Sequence, residues 1–151
     1  MAAWQFPVML IPAKAMLSEP QLRLQDFLTD DGWDVVELWS EGPNVARAGA
    51  AVSEFLGNST SLNGWDQAFY WGTRTGNDAS LHFDGAKVEN LSFRLDMRSF
   101  DEGFVRSIVS IAFNLQCHTL IMERGIAVAP TIDGLKRQAE KSRAARCAEV
   151  S

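Results

Sequence analysis

Ser80, His82 and Asp84 stand at alternate positions of one short segment. A hydroxyl, an imidazole and a carboxylate are the parts of a nucleophilic triad, in which each group must hydrogen-bond to the next. On a strand, side chains two residues apart on the same face lie about 7 Å from one another, beyond that reach. The three therefore read as a polar sheet face. Cys117-His118 offers half of a metal site, but no C-x-x-C or H-x-x-x-H accompanies it, and Cys147 and His82 lie far along the chain. Cys117 reads as a buried thiol at a helix end. Residues 72–76, Gly-Thr-Arg-Thr-Gly, lack the Gly-Lys-Ser/Thr of a phosphate-binding loop and open no helix. With no catalytic motif in the chain, no enzymatic activity, metal or cofactor is expected.

Two other groups of residues suit recognition. Tyr70, His82, Arg94, Asp96 and Arg98 fall at polar positions of alternating segments, and Asp96 has an arginine two residues away on either side. Both arginines can reach it along a strand. Such a face is either solvated, with ion pairs worth ~0–1 kcal/mol each, or a binding face anchored by Tyr and Arg. A rival use is a small-molecule or enzyme pocket near this face, with Tyr70, His82 and Arg94 as its polar groups. The second group is acidic. Asp26, Asp30, Asp31, Asp34, Glu37 and Glu41 occur within 16 residues that contain no Lys or Arg, together with Trp33 and Trp39.

Net charge is −5, unevenly placed: residues 1–134 hold nine Lys/Arg against seventeen Asp/Glu, and residues 135–151 hold five against two. An acidic field repels phosphates and attracts basic proteins. A protein partner is expected, and nucleic acid is not. The basic tail (Lys136, Arg137, Lys141, Arg143, Arg146) reads as a solvated helix.

These residues need elements to carry them. From Leu91 the sequence alternates without a break: Leu91, Phe93, Leu95 and Met97 on one side, Ser92, Arg94, Asp96 and Arg98 on the other. This is the period of a half-buried strand. With residues 67–73 and 79–84 it forms a three-strand meander. For Leu81 to share a face with Leu91, the second connection needs an odd number of residues, read as Gly85-Ala86-Lys87. Residues 5–11 are a strand, and Pro7 and Pro12 suit a strand end or an edge position. Residues 33–39 are another strand, and 119–123 another. Ser18 and Gln21 resemble a capping box opening a helix through Leu22, Phe27 and Leu28. Pro43 opens a helix that Gly57 stops. Ser99 and Glu102 cap a central helix to about Cys117, with Phe104, Ile108, Ile111, Phe113 and Leu115 among its apolar positions. Residues 125–130 are extended, Thr131 caps a last helix, and the pattern thins beyond Lys141.

The fold class is α+β: an antiparallel or mixed sheet built around the meander, with helices packed on one face. At 151 residues, 46% hydrophobic and 22% charged, the chain suits one globular domain that is a monomer or a homodimer. Its start lacks a basic region before the apolar run, and Pro7 and Pro12 interrupt it, so no signal peptide is read. No apolar stretch reaches bilayer length, and two cysteines without metal or redox spacing suit a cytoplasmic protein.

Residues 88–98 (Val-Glu-Asn-Leu-Ser-Phe-Arg-Leu-Asp-Met-Arg) precede Phe104-Val105 at a helix start. Ile111-Ala112 and Cys117 come next, and then a helix begun at Pro130 that ends Ser142-Arg143-Ala144-Ala145-Arg146. Over about residues 66–146 this order resembles small acidic bacterial immunity proteins of polymorphic or contact-delivered toxin systems. The resemblance implies a cytoplasmic, non-enzymatic protein that binds one toxin and blocks its active site. No individual binding residue is carried over by it.

Overall fold

A computed structural model describes residues 1–18, 23–60 and 67–150. The meander is present as β4 (Ala68–Gly72), β5 (Asp78–Asp84) and β6 (Lys87–Asp96), numbered after β1 (Gln5–Pro12) and a two-stranded hairpin of β2 (Leu28–Thr29) and β3 (Gly32–Trp33). With β7 (Cys117–Ile121) and β8 (Ile126–Val128) they build a six-stranded sheet in the order β4-β5-β6-β1-β7-β8. Every pairing is antiparallel. The fold is α+β.

Residues of directly opposed pairs share a face. Leu81 with Leu91, Ala79 with Phe93, Phe93 with Val8, and Leu95 with Phe6 therefore form one apolar layer, and all of them are buried. Helix α2 (Val45–Leu56) lies on this layer, its Gly49 facing Leu81. Helix α3 (Glu102–Asn114) sets Phe104 edge-on to Phe93, with ring centroids 6.4 Å apart. α3 packs between α2 and α4 (Ile132–Glu140), which accounts for its broad apolar surface.

β1 occupies the middle of the sheet and not an edge, and Pro12 is its last residue, so of the two expected placements the strand end is the one found. All eight of its residues are buried, including Met9 and Ile11 on the face opposite Phe6 and Val8, so both faces of the sheet are covered here. The Met97 N–H bonds to the Trp4 carbonyl, so Trp4, Phe6 and Val8 turn their backbone groups toward β6. Pro7 faces the opposite flank, where pairing with β7 begins only at Val8. A missing donor there breaks no ladder bond.

The parity of the second meander connection is met in another way than expected. β5 and β6 are joined by the two residues Gly85 and Ala86, with Gly85 at φ 60° in the position where a type II′ turn takes glycine. Opposite His82 and Phe83 stand Asn90 and Val88, leaving Glu89 as an unpaired bulge residue. The bulge shifts the ladder by one and returns Leu91 to the apolar face.

Other elements also depart from the sequence reading. Residues 33–39 do not form one strand. Asp34 Oδ1 accepts the Val36 N–H at 3.3 Å, and a 3₁₀ turn over Val36–Trp39 follows, burying Val35, Leu38 and Trp39 against β6 and β1. The expected helix after Ser18 falls partly on residues 19–22, outside the described residues. What is described there is a short helix α1 (Ala13–Ser18) and a 3₁₀ turn at Leu24–Phe27. Asn44, one residue after Pro43, caps α2 by accepting the Arg47 N–H at 2.9 Å. Asp101 caps α3 in place of Ser99, accepting the Phe104 N–H at 3.1 Å. Phe113 is 79% exposed and not part of the core.

Thr131 caps α4 as expected. Beyond Lys141 the chain stays helical as α5 (Arg143–Glu149), because Ser142 Oγ donates to the Ala139 carbonyl and accepts the Ala145 N–H. α5 buries Ala144 and packs against β1.

Candidate functional site

The polar side of the meander holds Tyr70, Ser80, His82, Ser92, Arg94 and Asp96, all half-buried. The register orders them. Near β4 the Tyr70 and His82 rings meet edge to face, with centroids 6.0 Å apart. Next, Ser80 and Ser92 share a hydrogen bond of 3.0 Å across the β5–β6 pair. Farther along, Arg94 lies directly opposite Asp78 and grips it with two hydrogen bonds, one of 2.8 Å from Nε to Oδ1 and one from Nη2 to Oδ2.

Asp96 does not bridge two arginines, as expected from the sequence. It takes only Arg98, through Nε at 3.0 Å and Nη2 at 2.8 Å, because Arg94 is closer to its cross-strand partner. Arg98 also stacks 4.1 Å over Trp4 and donates to the Thr75 carbonyl at 3.2 Å. The ion pairs leave their mark on acidity. The hydrogen bonds from Arg98 hold the Asp96 carboxyl below the usual carboxylate range. Those to Asp78 and Asp96 raise Arg94 and Arg98 further above their ordinary values.

A carboxyl lowered in the folded state adds stability above its unfolded pKa of about 3.9 and loses it as the pH falls through the folded value. We therefore expect the stability gap between wild type and Asp96→Asn to be widest near pH 6–7 and to close below about pH 4. Urea denaturation across pH 3–7 measures it. A pH-independent gap would contradict the pairing.

Three residues of this region carry no sequence signal of their role. Asp78 reads as turn chemistry, but it opens β5 and is nearly buried. Only the strand register, which sets it opposite Arg94, could have found it. Gln5 is buried and ties β1 to the β4–β5 turn, its Nε2 donating to the carbonyls of Arg74 (3.2 Å) and Gly76 (2.7 Å). Trp4 Nε1 donates to the Thr75 carbonyl at 2.9 Å. This face is largely self-consistent: its charges are spent on one another.

The acidic segment differs. Asp26, Asp30, Asp31, Asp34, Glu37 and Glu41 are all exposed. Asp30 and Asp31 sit at the tip of the β2–β3 hairpin, which Thr29 closes by donating to the Gly32 carbonyl at 2.8 Å. Asp26, Asp34 and Glu37 converge on a groove of about 440 Å³ whose apolar walls are Phe27 and Val36. Glu41 does not join them; it lies 4.0 Å from Lys14 beside a different groove. Among the described residues no basic group comes within ion-pair distance of the other five carboxylates. Trp33 is half-buried and packs toward Gly125, where a side chain would collide with Gln25 Nε2. Trp39 is buried and takes no part in the surface.

The remaining candidates are quickly placed. Among the described residues no group of three or more His, Cys, Asp or Glu could hold a metal ion. Burial pushes the Cys117 thiol up to about 12. A thiol at that value is protonated at pH 7 and a poor nucleophile. Native protein should leave Cys117 unmodified by iodoacetamide at pH 8 for hours, with labelling appearing in urea; mass spectrometry of the Cys117 peptide reads the difference. The groove under α2, about 470 Å³, is lined by Gly49, Ala50, Phe69 and Trp71, and Tyr70, His82 and Arg94 do not border it. Among the described residues no helix is long and apolar enough to cross a membrane. No protein-family model matches the chain, and no curated protein or solved structure matches it either.

Proposed function

We propose that the protein is a non-enzymatic inhibitor of the immunity or antitoxin type, which neutralises a basic toxin or effector domain through the surface formed by Asp26, Asp30, Asp31, Asp34 and Glu37. The observation that carries this reading is the set of five exposed carboxylates with no ion-pair partner among the described residues, three of which line a groove walled by Phe27 and Val36. Unpaired carboxylates around apolar side chains match what a basic partner needs: charge to speed the encounter, and greasy area to hold it. The polar meander face ranks second, since its two arginines already hold carboxylates of their own. On this reading the protein works in the cytoplasm, where the effector would otherwise act.

The test expresses neighbouring gene products singly and asks which is toxic without this protein and harmless with it. For such a pair, changing Asp30, Asp34 and Glu37 together to Lys should weaken binding by about 10²-fold or more and abolish protection, mostly through a slower, less salt-sensitive association. Full protection by the triple variant, with an unchanged melting curve, refutes the acidic surface as the binding site.

A further inference from the structure

We draw no further inference here: the strongest candidate, the pair of adjoining apolar grooves between α1, α2 and α3 bordered by Leu17, Phe55 and Phe113, carries nothing because nothing in the structure shows what covers them.

Discussion

Deleting Ser92 should cost about 3–8 kcal/mol, while deleting Glu89 should cost about 1 kcal/mol or less. Both remove one residue from the same strand. Glu89 is the bulge residue; without it Val88 and Asn90 still stand opposite Phe83 and His82, and the ladder becomes regular. Without Ser92 the chain can keep Phe93 and Leu95 inward only by drawing up the slack at the bulge. Leu91 then takes the outward place opposite Ser80, and Asn90 turns into the core opposite Leu81. The loss is that of a buried leucine, about 2–5 kcal/mol, and an amide carried among apolar groups adds about 1–3 kcal/mol. Urea denaturation of the two deletions decides it. Equal destabilisation by both would mean that Glu89 is an ordinary ladder residue.

Phe93→Ala should destabilise by about 3–5 kcal/mol, and Phe113→Ala by no more than about 0.5 kcal/mol. Phe93 is fully buried between Ala79 and Val8 in the sheet and under Phe104 of α3. Its removal leaves a cavity that strands on both sides cannot close, since interiors are packed to crystal density. Phe113 faces solvent at the far end of the same helix. Chemical denaturation of both variants at pH 7 tests the pair. A large loss in Phe113→Ala would place that ring in the core, against its exposure.

The contrast between these phenylalanines indicates what the sequence could reveal. Strict alternation from Leu91 onward is a local property of one strand, and it located the apolar layer, the meander and the polar face. The periodicity of residues 102–115 marks α3 but does not show where the helix runs past the edge of what it covers, so Phe113 reads as inward although it is exposed. Parity required one extra residue between Leu81 and Leu91, and a three-residue loop and a bulge meet that requirement equally on paper. The ladder chose the bulge. Residues 33–39 carry β-branched and aromatic side chains, but Asp34 captures a backbone N–H and turns the chain into a 3₁₀ turn, a competition that strand propensity does not show. Of the candidate surfaces, the acidic segment was legible as composition alone. The pairing of Arg94 with Asp78, away from Asp96, depended on strand register and was not legible at all.

The central place of β1 has a consequence for how the molecule is made. Val8 is flanked by Phe93 on one side and Ile121 on the other, so this segment must wait until residues far along the chain from it have been synthesised before its neighbours exist. Contacts so distant in sequence slow folding and lengthen the time that apolar strands stand uncovered. Until residues 5–12 dock, the meander and the β7–β8 pair are separate ribbons, each with a bare edge facing the gap. A nascent protein of this design depends on that single late insertion to become one sheet, and its newly synthesised form is where aggregation would begin.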